Sequence, residues 1–251
     1  MKIAVAGATG RVGSHVVDVL AERGHDAVAI SRSAGVDIIT GAGLAEALSG
    51  VECIIDVATG PSPDEAAATE FFTTAARNLH AAGQRAGVRR MVVVSIIGCD
   101  RFTGGYGAAK VAHAQAMLGG PIPVRILRAA QFHEFVPQLM DWGRQGDVVY
   151  VPRMRTQLVA ARTVAETLVD LATDPHFPSP ETPIAEVAGP REENLVEIAN
   201  LLATKRGDSV RIEAASDAAD PEHELNTSGA LLPSPHARLG GPTFEAWLQT
   251  R

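Results

Sequence analysis

The chain has 251 residues, 46% of them hydrophobic and 20% charged, with a net charge of −7 when the histidines are neutral. Such a length can bury one large core, and such a composition excludes a disordered chain. No apolar run reaches the ~18 residues of a membrane span, and an acidic chain without a basic run disfavours nucleic-acid binding.

The first element is a β-branched stretch, Lys2-Ile-Ala-Val-Ala6, which runs into Gly7-Ala-Thr-Gly-Arg-Val-Gly13 and then an apolar-periodic helix through Val16, Val17, Val19 and Leu20. Because the strand begins at once, no room is left for a secretion signal, and a cytoplasmic protein is expected. A strand, a glycine turn and a helix in this order form a phosphate cradle, since a helix N-terminus presents unpaired N–H groups and a partial positive charge. Gly7 permits the tight turn, Gly10 lets a pyrophosphate approach, and Gly13 lets the helix lie close. Thr9, Arg11 and Val12 complete the predicted cofactor-binding turn.

A second strand, Asp26 to Ile30, ends at Ser31 and Arg32. An acidic residue at this place accepts from the ribose 2′-OH of NAD, whereas an arginine grips a 2′-phosphate. Ser31 and Arg32 therefore predict NADP(H) rather than NAD(H), with Arg11 as the second candidate for the phosphate.

A short strand is predicted at 36–39 and a helix at 44–48. The strand Glu52 to Ala58 follows, apolar enough to be covered on both faces. It should place Val57, Ala58 and Thr59 beside the cofactor. Asp56 reads equally as a site residue or as a strand-end cap. Asp64 to Ala86 is a long amphipathic helix, in which Phe71 and Phe72 serve the core or the contact of a homodimer. Gly87 stops it, and Met91 to Ser95 is the next strand. Cys53 and Cys99 lack any ligand spacing and read as small buried hydrophobes.

Ser95 ends that strand, and Tyr106-Gly-Ala-Ala-Lys110 opens a helix whose i, i+4 spacing puts phenol and ammonium on one face. A nearby lysine lowers a phenol's pKa, so the predicted catalytic set is Ser95 holding a carbonyl oxygen, Tyr106 transferring its proton, and Lys110 tuning Tyr106 and binding the nicotinamide ribose. Gly104, Gly105 and Gly107 around Tyr106 predict a loose helix start.

Ser95, Tyr106 and Lys110 resemble the active site of the short-chain dehydrogenase/reductases. The longer Gly-x-x-Gly-x-x-Gly spacing, in the form Gly-Ala-Thr-Gly-Arg-Val-Gly, resembles their extended and atypical branch, especially the NmrA-like group. After a strand at Val124 to Leu127, Arg128-Ala-Ala-Gln-Phe-His-Glu-Phe135 is similar to a segment of NmrA-like oxidoreductases that lines nicotinamide and substrate, with Ala130 where a threonine is common. The resemblance implies substrate contacts in this segment, with His133 a second acid/base or substrate-orienting residue, while Phe132, Phe135 and Trp142 read as an apolar substrate wall or simply as core. His133 reads equally as a structural, hydrogen-bonded residue. No partner stands at ligand spacing from His133 and Glu134, so no metal is expected.

The expected architecture is a single α/β domain, 1–251, with a Rossmann-type doubly wound parallel sheet. Its core is 1–147, and segments of 148–251 form a small α/β substrate lobe. Short strands are predicted at 148–151, 157–160, 184–188 and 210–213, and helices at 163–171, 192–203 and 242–248. The proline-rich stretch 174–183 and the segment 214–241 are expected to be loops. The resemblance implies an NADP(H)-dependent oxidoreductase of a small carbonyl or quinone-like substrate. The alternative is an NADP(H)-binding redox sensor that turns nothing over.

Overall fold

A computed structural model describes residues 1–177, 184–215 and 223–251. The chain runs through β1 (Lys2–Ala6), α1 (Arg11–Glu22), β2 (Asp26–Ile30), α2 (Leu44–Ala47), β3 (Cys53–Asp56), α3 (Glu65–Ala86), β4 (Arg90–Ile96), α4 (Gly105–Leu118) and β5 (Val124–Ala129). There follow α5 (Val136–Trp142), β6 (Arg144–Gln145), β7 (Val148–Pro152), β8 (Arg155–Thr156), α6 (Ala161–Thr173) and β9 (Ile184–Ala188). The remaining elements are β10 (Glu193–Asn194), α7 (Leu195–Arg206), β11 (Arg211–Ala215), α8 (His223–Ser228), β12 (Arg238–Leu239) and α9 (Phe244–Gln249).

The main sheet is seven-stranded, in the order β12-β9-β5-β4-β3-β1-β2. β1 pairs in parallel with both β2 and β3, and β3 pairs in parallel with β4. The chain therefore starts one strand in from an edge, forms that edge with β2, and returns to build the rest of the sheet from β3. That reversal is a Rossmann-type topology, and it opens a crevice at the carboxyl ends of β1 and β3, where such sheets hold their ligands. Among the described residues, no helix is long and apolar enough to cross a membrane.

Two compact units make up the chain. The first comprises 1–128 and 164–185, the second 129–163 and 186–251. In the first, Ala4, Ile54, Leu79, Met91 and Ile126 form one buried cluster between sheet and helices. α6 belongs here because Val164, Ala165, Leu168, Val169 and Ala172 bury one face. Its exposed side pairs Asp170 with Arg23 at 2.6 Å, and just beyond its end Asp174 pairs with Arg125 at 2.7 Å. In the second unit, Val149, Val151, Leu195, Leu202 and Phe244 form a separate core.

Local sequence sets the helix ends. Asp64 caps α3 by accepting from the Ala67 N–H at 3.0 Å, and Gly87 closes it in the left-handed conformation at φ 78°. Asn194 and Thr243 cap α7 and α9 in the same way as Asp64.

Several expectations need correction. Residues 36–39 form no strand, because the Asp37 carboxylate takes the N–H groups of Ile39 and Thr40 and turns the chain, while Val36 and Ile38 still reach the core. Residues 157–160 reduce to one isolated bridge between Phe132 and Val159. The helix expected from 192 begins at Leu195, after the short strand β10 has paired with β8. The segment 214–241 is not without structure, since it holds α8 and β12. Its residues 216–222 lie outside the described residues, as do 178–183 of the proline-rich stretch. Phe72, read as core or subunit contact, is core at 1% exposure.

Candidate active site

The glycine turn lies at the carboxyl end of β1. Gly7 adopts φ 82°, and a Cβ built on it would come within 2.8 Å of the Ala58 backbone, so only glycine fits against the end of β3. A Cβ on Gly13 would overlap the Gly7 carbonyl oxygen. Gly10 is different, because its Cβ would meet nothing closer than that same oxygen at 3.2 Å. It caps α1 with extended backbone, and no described side chain bonds to the helix start or places a carboxylate in its first turn. The first-turn N–H groups of Arg11, Val12 and Gly13 are thus left for an exogenous anion. Thr9, Gly10 and Arg11 are exposed, and Val12 and Gly13 are buried beneath them.

Two strand ends flank the cradle. At the end of β2, Ser31 accepts from the Ala34 N–H at 3.2 Å and opens a 3-10 turn on which Arg32 is exposed. At the end of β3, Val57 and Ala58 are buried and Thr59 is exposed. The Val57 N–H donates to Ala6 O at 3.0 Å, which binds the two strand ends that bear the turn. These residues fit a nicotinamide dinucleotide: a glycine cradle, an uncapped helix start and an exposed arginine at the end of β2.

The second half of the site is built by β4 and α4. Glycines shape the start of α4. Gly105 takes φ 62°, and a Cβ on Gly107 would come within 2.5 Å of Phe102. The start is not loose, since the Glu65 carboxylate accepts from the Gly105 N–H at 2.7 Å and ties α4 to α3. Tyr106 then packs edge-on against Phe72 of α3 at 5.9 Å.

Ser95 is buried at 4% exposure, one residue before β4 ends, with its Oγ 3.6 Å from Cys99 Sγ. Lys110 is buried at 3% exposure. Its Nζ donates to Val94 O at 2.9 Å, lies 3.2 Å from His113 Nδ1, and sits 4.5 Å from the centre of the Phe72 ring. Tyr106 and Lys110 thus share the Phe72 ring, and Lys110 reaches the carbonyl of Val94, the residue before Ser95. Among the described residues, no hydrogen bond joins Tyr106 to Ser95 or Lys110.

The electrostatics depart from expectation. Burial pushes the Lys110 ammonium down to about 8, partly offset by the negative charge of Asp56. The Tyr106 phenol is pushed up, again by burial. Lys110 was expected to lower the phenol, but its ammonium is engaged by Val94 O and His113 instead.

Asp56 is a strand-end cap and also contacts α4. One carboxylate oxygen caps the strand end by accepting from the Ala58 N–H at 3.0 Å, and the other lies 3.1 Å from His113 Nε2. Sequence reading missed His113. It is 2% exposed and stacks on Phe72 with ring centres 4.5 Å apart. The one sequence signal was its position three residues after Lys110, on the same face of α4.

The residues expected to meet substrate lie in the second unit. His133 is fully buried, its Nε2 3.1 Å from Pro242 O and its ring packed against Phe244 and Trp247, and burial lowers its pKa. Trp142 is 62% exposed and meets Phe135 edge-on at 5.7 Å. Phe132 is half-buried. Both cysteines are free and buried, and burial pushes the Cys53 thiol up to about 12. Among the described residues, no group of three or more His, Cys, Asp or Glu side chains is placed to hold a metal ion.

Residues 7–118 match the model of an NAD(P)H-binding family. No curated protein matches the sequence. Among solved structures, MoeE5 in complex with UDP-glucose and NAD is similar at 17% identity and a TM-score of 0.70, over 99% of this chain and 98% of that one. The UDP-N-acetylglucosamine 4-epimerase from Bacillus cereus is similar at 15% identity and a TM-score of 0.67, over 100% and 97%. A short-chain dehydrogenase/reductase superfamily protein from Agrobacterium tumefaciens with bound NAD is similar at 16% and 0.67, over 100% and 95%. At these identities the likeness is one of fold.

Proposed function

We propose that this chain, an atypical short-chain dehydrogenase/reductase by its fold, is an NADP(H)-dependent reductase of a small carbonyl or quinone-like substrate, NmrA-like in its sequence motifs. The observation that carries the reading is the cradle, where an uncapped helix start meets a glycine turn beside the end of β3 and Arg32 is exposed at the end of β2. An arginine there favours a 2′-phosphate over the bare ribose that an acidic residue would hold.

The bound cofactor supplies a hydride. Ser95 holds the substrate's carbonyl oxygen, and Lys110 carries the positive charge that favours a developing oxyanion. Tyr106 carries its proton at neutral pH, as a phenol does, and gives it to that oxygen when hydride is delivered. The reading is of the reductive direction. Oxidation of NADPH with a panel of quinones and ketones tests it.

One observation favours a second reading, a sensor that binds NADP(H) without turnover. Lys110 is engaged by Val94 O and His113 and has no hydrogen bond to Tyr106, so the pair is not assembled as a coupled acid. Tight NADPH binding without oxidation by any acceptor would select the sensor.

A further inference from the structure

Resting on that assignment of Lys110, we propose that Asp56 and His113 are positioning residues that form a buried chain, Asp56 to His113 to Lys110, fixing the lysine's ammonium for the cofactor ribose.

The proton order follows from the donors available. An ammonium has three N–H groups and no acceptor. Lys110 Nζ gives one to Val94 O at 2.9 Å, so its 3.2 Å contact with His113 Nδ1 requires that nitrogen to be an unprotonated acceptor. The ring proton then sits on Nε2 and points to Asp56 Oδ2 at 3.1 Å. The Ala58 N–H holds the other oxygen of Asp56 at 3.0 Å and fixes the carboxylate's orientation. Each member dictates the next, and no described hydrogen bond takes the third N–H of Nζ.

The surroundings enforce this order. Asp56, Lys110 and His113 are 1%, 3% and 2% exposed, so water cannot substitute for a missing partner. Phe72 of α3 stacks on the His113 ring and lies beneath the ammonium. Among the described residues, the charged and titratable groups that act on Lys110 are Asp56 from β3, His113 from α4 and Cys99 from the turn after β4. A second proton on His113 would oppose the ammonium, and burial together with Lys110 lowers its pKa accordingly. The negative charge of Asp56 acts in the other direction and keeps the buried lysine protonated.

Nitrogen NMR of the His113 ring in the cofactor-free protein tests the order directly. The expected result is the Nε2–H tautomer between about pH 6 and 8. An Nδ1–H ring or an imidazolium overturns the proposal whether or not cofactor binds. Two variants test the consequence. His113→Phe keeps the ring on Phe72 and removes the acceptor, so NADPH affinity near neutral pH should fall about tenfold and its alkaline limb should move to lower pH. His113→Asn returns an acceptor oxygen close to the place of Nδ1 and should recover most of the affinity. Unchanged affinity and an unchanged limb in His113→Phe overturn the proposal.

Asp56→Asn applies if His113→Phe does not fold. The new amide can donate to Nε2 and drive the ring proton to Nδ1, so the limb should again move to lower pH. An unmoved limb contradicts the proposal. A wild-type protein that binds no nicotinamide cofactor overturns the functional reading instead, and the tautomer then decides the chain of contacts alone.

Discussion

A methyl group on Gly13 would overlap the carbonyl oxygen of Gly7, so these two glycines lock the first turn of α1 onto the loop that precedes it. Gly10, between them, would bring its Cβ to 3.2 Å from that same oxygen, a tight contact rather than an overlap. The three glycines of one motif therefore differ in how strictly the fold requires them. Gly13→Ala should destabilise the protein by about 3 kcal/mol, the upper end for overpacking, because backbone cannot move aside as a side chain can. Thermal melting should show a drop of roughly 6 to 12 °C with or without cofactor.

Gly10→Val should lower the melting temperature less than Gly13→Ala does, because its Cβ meets the Gly7 oxygen at 3.2 Å without overlapping it, and should abolish NADPH binding, since the isopropyl group would stand where the pyrophosphate approaches the helix start. Retained binding in a folded Gly10→Val protein would show that the turn serves packing alone.

Arg32→Ala should cost about ten- to hundredfold in NADPH affinity and little in NADH affinity, as a charge-assisted contact to phosphate is worth roughly 1.5 to 3 kcal/mol. Isothermal titration with both cofactors checks this. Equal losses would remove Arg32 from the 2′-phosphate and leave Arg11 as the candidate.

Burial lowers Lys110 from 10.5 in the unfolded chain to about 8 in the fold. Between these values the unfolded chain binds more protons than the folded one, so stability rises with pH across the window. The lysine's contribution is largest above 10.5 and falls away as pH drops towards 8. Denaturant melts of wild type and Lys110→Met should show this slope in the difference between the two curves, since groups such as Cys53 titrate in both. Parallel curves would mean that Lys110 is not desolvated as its surroundings imply.

Local signals made most of the first unit legible. The β-branched runs at β1, β3 and β4 face helices on both sides and cannot alternate, while Asp64 and Gly87 mark the ends of α3 by capping chemistry. Failures arose where a side chain diverts the backbone or where a contact is remote. Asp37 turned an apolar stretch that reads as a strand. His113 carries no local mark, because the carboxylate that defines its role is 57 residues away on β3. Lys110 and Tyr106 were found by spacing, but spacing records neither burial nor the Val94 carbonyl, and so it could not foretell that the lysine points its ammonium to β4.

The most direct test of the account is the rate of NADPH oxidation by wild type and Tyr106→Phe with ketones and quinones that the wild type reduces. Removing a positioned acid lowers rates by ~10² to 10⁴, so kcat for a ketone should fall by about that much while NADPH affinity stays nearly unchanged. Quinones should lose less, since the developing oxyanion is delocalised and takes its proton from water. A Tyr106→Phe protein as fast as wild type on every substrate would contradict the assignment of Tyr106 as the proton donor.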